Sequence, residues 1–189
     1  MRAARSSPHV CLIGFSGSGK STIGRLLARR LGRDFVDLDL LIEHENNISI
    51  PEIFRRHGER RFRRLETAAI TRLMSARSAP FVIALGGGAF QLAANRSILQ
   101  KHSIVVYLSC PVRELYRRLK GKGDRPMLQT LAGRQPTTSR LLLLRIRTLL
   151  NSRRPYYDMA DMRISTCGKT LAQTADELAR WLMERYADS

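Results

Sequence analysis

Eight consecutive residues, Gly14-Phe15-Ser16-Gly17-Ser18-Gly19-Lys20-Ser21, match G-x-x-x-x-G-K-[ST] at every fixed position. The chemistry this pattern supports is anion capture. Gly14, Gly17 and Gly19 admit torsions and close approaches that a Cβ would block, so successive N–H groups turn into one concavity. A helix starting near Lys20 brings its positive end to the same point. Lys20 is long enough to reach terminal phosphates, and the Ser21 hydroxyl can ligate Mg²⁺. A flexible Ser/Gly loop is the competing reading. The motif's place between a strand-like run, Val10–Ile13, and a helix-like one favours the phosphate loop.

Three further groups of residues have the types for chemistry. Asp37-Leu38-Asp39 closes a second strand-like run. On a strand, carboxylates at i and i+2 point the same way, into the crevice where open α/β sheets bind ligands. The alternative is a helix cap, with Asp39 preceding Leu40-Leu41-Ile42. Residues 50–66, IPEIFRRHGERRFRRLE, hold Arg55, Arg56, Arg60, Arg61, Arg63 and Arg64. These cannot all face one ligand, so most are solvated. One of them can fork a carboxylate, and Glu66 is placed at i+3 from Arg63 to orient it. Gly86-Gly87-Gly88 follows an apolar run and is expected where backbone passes close to a ligand. His44, His57 and His102 have no metal-ligand spacing and read as structural or surface residues.

The elements that must position these residues alternate. Strand-like runs fall at 10–13, 34–37, 81–85, 104–108 and 162–165. Between them lie helical patterns: Ile23, Leu26, Leu27 and Leu31, ended by Gly32; Leu65, Ala68, Ala69 and Leu73; Leu115 and Leu119 after Pro111; and residues 141–150 and 171–183. Such alternation predicts a mainly parallel sheet covered on both faces. Residues 120–139, rich in Gly, Pro, Thr and basic side chains, form the one loop-like stretch, of the kind that serves as a lid or stays disordered.

The 189 residues suffice for one domain with its own core. With 43% hydrophobic and 26% charged residues the chain reads as soluble and globular. Its net charge of +17 suits a polyanion, an acidic surface or an anionic small molecule, but aromatics are only 6% and no base-stacking motif is present. No apolar run approaches membrane-spanning length. The basic start, MRAARSSPH, lacks the apolar stretch of a secretory signal and is expected to be a disordered tail. Cys11 and Cys110 adjoin apolar runs, as buried thiols do, and the three cysteines fit a reducing compartment.

Taken in order, GFSGSGKS, FVDLD, IPEIFRRHGERRFRRLE, ALGGGA, DRPML and SRRPYYDMAD resemble the shikimate kinase family, from Val10 to about Thr166. The run Gly58–Glu66, G-E-x-x-F-R-x-x-E, and the later GGGA are the most specific part. The resemblance implies an α/β fold, a P-loop NTPase three-layer sandwich with a five-stranded parallel sheet flanked by helices, and a mobile lid at about 120–139. A single domain over 9–189 would follow a tail at 1–8. It implies transfer of the ATP γ-phosphoryl group to the 3-hydroxyl of shikimate, on the route to chorismate and the aromatic amino acids, with Mg²⁺. We expect a cytoplasmic monomer with no specific nucleic acid and no membrane partner.

Carried over by motif, Gly17, Ser18, Gly19, Lys20, Ser21 and Thr22 hold the phosphates, and Ser21 with Asp37 serves the metal. Asp39 contacts shikimate hydroxyls as base or orienter. Arg63 and Arg153 clamp its carboxylate, and Gly86, Gly87 and Gly88 lie along the ring hydroxyls. Arg125 closes from the lid, while Arg118 and Lys169 flank adenine. The catalytic set is Lys20, Asp39 and Arg125. Where the family has Pro-Leu-Tyr after the carboxylate-binding arginine, this chain has Pro155-Tyr156-Tyr157. A gluconate-kinase-like enzyme and a non-catalytic nucleotide- or nucleic-acid-binding relative are the alternatives.

Overall fold

The computed structural model describes residues 8–76, 79–120 and 139–186. Strand β1 (His9–Ile13) leads through the glycine loop to α1 (Lys20–Leu31). Then follow β2 (Asp34–Asp37), α2 (Leu38–Asn46), α3 (Ile50–Ser75), β3 (Phe81–Ala84), a 3-10 turn (Ala89–Gln91) and α4 (Ala93–His102). The chain continues with β4 (Ser103–Ser109), α5 (Val112–Leu119), α6 (Ser139–Tyr157), β5 (Met162–Ser165) and α7 (Leu171–Tyr186). The five strands are parallel in the order β2-β3-β1-β4-β5. The five predicted strands all form, each within two residues of its expected ends, and the last two helices run further than their apolar periodicity suggests.

The sheet has a core on each face, which is why its strands read as unbroken apolar runs. Cys11, Ile13, Ile83, Val105 and Tyr107 pack under α2 to α6. Val10, Leu12, Val82, Val106 and Ile164 alternate with them and pack against Ile23 and Leu27 of α1 and Leu178 and Leu182 of α7. Complete burial of each such aliphatic side chain contributes about 1.5–3 kcal/mol. Gly24 lets α1 lie close to the sheet: a Cβ there would run into the Phe35 ring. Both Cys11 and Cys110 are buried thiols, and burial pushes the Cys11 thiol far above its ordinary range. Among the described residues no helix is long and apolar enough to cross a membrane.

Register brings the chemistry to one edge. Asp37 pairs with Ala84, and Ala84 pairs with Leu12. The ends of β1, β2 and β3 therefore finish level, and the phosphate-loop motif, the start of α2 and the triple glycine emerge side by side. Strand β1 lies between β3 and β4, where the winding of the sheet reverses, the place where open α/β sheets bind ligands.

One local expectation is corrected. Asp37 and Asp39 do not alternate along a strand, because β2 ends at Asp37 and Leu38 opens α2. Asp37 is the residue capping that helix, in an extended conformation, and Asp39 lies in its first turn. The two carboxylates reach the same cavity from a strand end and a helix start.

Candidate active site

A cavity of about 880 Å³ opens at the carboxyl edge of β1, β2 and β3. Gly17, Gly19, Lys20, Ser21 and Thr22 line one end, with Asp37 beside them. The loop takes the torsions its glycines allow, with φ of 85° at Gly17 and 99° at Gly19, values that cost a residue bearing a Cβ about 1–3 kcal/mol. Helix α1 begins at Lys20, so its positive end faces the cavity. Lys20 Nζ donates to Gly14 O at 3.0 Å and Phe15 O at 3.1 Å, holding the ammonium against the loop. Ser18 is completely buried and its N–H donates to Phe15 O at 3.1 Å, so it braces the loop from beneath.

Ser21 Oγ donates to Asp37 Oδ2 at 2.6 Å. Asp37 makes no side-chain bond to the helix it caps, and its carboxylate is directed to Ser21 instead. A hydroxyl and a carboxylate in contact, both facing the cavity, form a hard-oxygen donor pair. That set fits Mg²⁺, which takes one or two protein oxygens and keeps several waters.

The far end is built around the triple glycine. None of Gly86, Gly87 and Gly88 has a positive φ, so torsional freedom does not explain them. Space does. A Cβ at Gly86 would lie 2.8 Å from Asp39 Oδ1 and 3.2 Å from Glu66 Oε1. At Gly87 it would lie 2.9 Å from Arg153 Nη1, and at Gly88 2.7 Å from Arg63 Nη2. Each glycine thus makes room for a different charged side chain. The sequence predicts close approach to a ligand; the structure shows close approach to the side chains that converge on that end of the cavity.

Those side chains are held from outside the turn. Arg63 Nη1 donates to Glu66 Oε2 at 2.9 Å and Nη2 to Glu59 Oε1 at 3.0 Å. Glu66 is completely buried, and its carboxyl is pushed up to about 7 by that burial, against the pull of Arg63 and with Asp39 adding repulsion. Arg153 is 5% exposed and its guanidinium lies over the Phe15 ring, 5.6 Å from the centroid. The turn itself is pinned beyond the glycines: Asn95 donates to Ala89 O at 2.9 Å, and Arg96 to Gln91 O at 2.6 Å while stacking on Tyr156.

Near the phosphate loop, Arg118 donates to Gly17 O and Thr166 O, both at 3.2 Å, and to Glu114 at 2.7 Å. It joins the loop to the segment after β5. Lys169 lines the same side of the cavity and pairs with Glu177. Arg125 and residues 121–138, which include most of the expected lid, lie outside the described residues.

Two features of the site are not anticipated by the sequence reading. Tyr157 donates its hydroxyl to Gly87 O; its place one turn beyond Arg153 is the signal that was available. Gly58 interrupts α3 with φ 74° and ψ 174°. This kink separates the exposed arginines Arg55 and Arg56 from the segment carrying Phe62, Arg63 and Glu66.

A family model described as shikimate kinase matches residues 16–183. A shikimate kinase of Geobacter sulfurreducens is 43% identical over 178 residues, covering 93% of this chain and 91% of the relative. That of Chlorobium chlorochromatii is 42% identical over 177 residues, covering 94% and 91%. Among solved structures, the shikimate kinase of Acinetobacter baumannii in complex with shikimate has a TM-score of 0.83 and 35% identity, covering 94% of each chain. A gluconokinase of Sinorhizobium meliloti, at 20% identity and a TM-score of 0.56, covers 98% of this chain and 99% of its own and shares the fold alone.

Proposed function

The chain belongs to the shikimate kinase family and transfers a phosphoryl group to shikimate, and we propose that ATP with Mg²⁺ is the donor and that the two ends of the cavity divide the work. The observation that carries this reading is the convergence of Asp39, Arg63 and Arg153 on three consecutive glycines. Two guanidiniums and one carboxylate suit an acceptor that carries one carboxylate and a set of hydroxyls. A neutral or purely polyhydroxyl acceptor would offer these two guanidiniums no carboxylate to fork.

At the nucleotide end, Lys20 and the N–H groups of the loop bind the phosphates. Ser21 and Asp37 would hold Mg²⁺, which when bound neutralises charge building on the phosphoryl oxygens. Arg118 and Lys169 hold the nucleotide's other end beside residues 166–170. At the acceptor end, Arg63 and Arg153 fix the carboxylate, and two such forks also fix the angle of the ring. Asp39 accepts a hydrogen bond from the attacking hydroxyl and takes its proton, or orients it. Phosphoryl transfer requires little covalent help from the protein, so this positioning supplies most of the catalysis. Arg125, which lies outside the described residues, would add a further cation, as the resemblance to the family implies. We read the chain from residue 9 onward as one domain acting as a cytoplasmic monomer.

The test is ADP release from Mg-ATP with shikimate, with gluconate and with no acceptor. Release that depends on shikimate and is lost in Asp39→Asn supports the reading. Release with gluconate alone would overturn the acceptor assignment, and acceptor-independent release would overturn the role of the arginine end.

A further inference from the structure

Tyr157 lies one helical turn after Arg153 on α6, so the two side chains leave the same face. The tyrosine is 1% exposed, and its ring packs on Tyr107 of β4 with centroids 5.0 Å apart. Its hydroxyl has one proton and two lone pairs. The proton goes to the carbonyl oxygen of Gly87, the middle residue of the triple glycine. The Arg153 guanidinium lies close by, on the same side of Gly87. The same geometry shows in the space around Gly87, where a Cβ would lie 2.9 Å from Arg153 Nη1 and 3.6 Å from the Tyr157 oxygen. Burial pushes the phenol up to about 12, so it remains a donor throughout the working pH range.

We propose that Tyr157 is a positioning residue for the acceptor, its hydroxyl joining the Arg153 guanidinium to the Gly87 carbonyl so that arginine and glycine turn are held as one piece. This rests on the reading that Arg153 takes the acceptor's carboxylate. An arginine side chain otherwise has several rotatable bonds to immobilise on binding. Phe15 faces the guanidinium plane and restricts its tilt, while the Tyr157 hydroxyl fixes its rotation within that plane. The glycine turn gains equally, because Gly87 O is directed at the phenol and its peptide cannot flip. Pinning by Asn95 and Arg96 begins only at Ala89, so Tyr157 holds the part of the turn they do not reach.

A hydroxyl that merely satisfied a buried carbonyl would affect stability and nothing else. Tyr157→Phe separates the two roles, since the ring keeps its packing on Tyr107. We expect the KM for shikimate to rise on the order of tenfold, the scale of one hydrogen bond to a charged group, with the KM for ATP unchanged. A double-mutant cycle with Arg153→Gln supplies the second readout. Because Tyr157 acts through Arg153, adding Tyr157→Phe to Arg153→Gln should leave the shikimate KM where the single glutamine variant puts it. Should Tyr157→Phe fail to fold, wild-type protein with ¹³Cζ-labelled tyrosine gives the same information: the Tyr157 resonance should move on addition of shikimate without nucleotide. An unchanged shikimate KM in a folded variant, additive effects in the cycle, or a Tyr157 resonance indifferent to shikimate would each overturn the proposal. Failure of the acceptor reading looks different: wild-type protein would release no ADP in response to shikimate.

Discussion

Replacing Gly86, Gly87 and Gly88 one at a time by alanine should give two different kinetic defects from three nearly identical substitutions. At Gly88 the new Cβ would lie 2.7 and 2.9 Å from the two terminal nitrogens of Arg63 and 3.1 Å from Cζ. No non-bonded carbon sits that close, so the guanidinium must turn aside and give up its 2.9 Å bond to Glu66. The backbone does not object: Gly88 has φ −108° and ψ −12°, which alanine adopts freely. Gly→Ala at a compatible position stabilises by about 0.4–1 kcal/mol through the unfolded chain, offsetting part of the strain. The fold should survive while the site does not. Loss of one charge-assisted hydrogen bond to the acceptor is worth about 1.5–3 kcal/mol, a rise in shikimate KM of roughly 10- to 150-fold at 1.36 kcal/mol per decade. Gly87→Ala should raise the same KM by displacing Arg153. Gly86→Ala presses on Asp39 Oδ1 at 2.8 Å and should lower kcat instead. Steady-state kinetics with each substrate varied, beside thermal melts, reads all of this. A Gly88→Ala protein with wild-type shikimate KM would refute the claim that Arg63 works from that position. Equal changes in the ATP and shikimate KM values would refute the division of the cavity.

Arg118→Ala should raise the KM for ATP and leave that for shikimate alone, because the guanidinium ties Gly17 O to Thr166 O at the nucleotide end; initial rates with ATP varied check it. Gly58→Ala should lower stability by about 1–3 kcal/mol, since φ 74° with ψ 174° is open essentially to glycine alone. A Cβ there meets nothing within 4 Å, so the cost is torsional, and calorimetry should find Tm lower by roughly 2–4 °C for each kcal/mol. Glu66 titrates near 7 when folded, against an ordinary 4.5. Its folded form thus holds a proton that the unfolded chain has already released, and the stability it contributes is complete below 4.5 and drains away as pH rises to about 7. Urea melts across pH 4 to 8 should therefore show Glu66→Gln gaining on wild type through that window and levelling above it, while the shikimate KM rises as Arg63 loses its anchor.

Burial on both faces made the strands legible. A parallel strand inside such a sheet must be apolar at every position, and β1, β3 and β4 can be read in the sequence for that reason. The same rule failed at Asp37-Leu38-Asp39, where period-two alternation imitates a strand that has already ended. Local pattern cannot distinguish the two, because Asp37 as a helix cap and Asp37 as a strand's last residue have the same extended backbone. What decides the chemistry is Ser21, sixteen residues earlier, which takes the carboxylate that capping would otherwise use.

The arginines show why the rest stayed hidden. Of 33 basic residues against 16 acidic ones, no more than about half can be paired one to one, and some acids serve two bases: Glu52 for Arg55 and Arg56, Glu114 for Arg117 and Arg118. Arg63 reverses the ratio, one guanidinium held by two carboxylates, Glu59 and Glu66. In a chain short of acids, spending two on one arginine makes sense only if that arginine's direction matters. Glu59 and Glu66 lie at i−4 and i+3 from it, so the pairing was present in the sequence as spacing. Spacing alone does not explain why it is this arginine, because Arg60, Arg61 and Arg64 share the same helix and the same residue type; the family motif names Arg63 without giving a physical reason. The three-dimensional placement of Gly88, whose missing Cβ leaves the Arg63 guanidinium its space, supplies that reason.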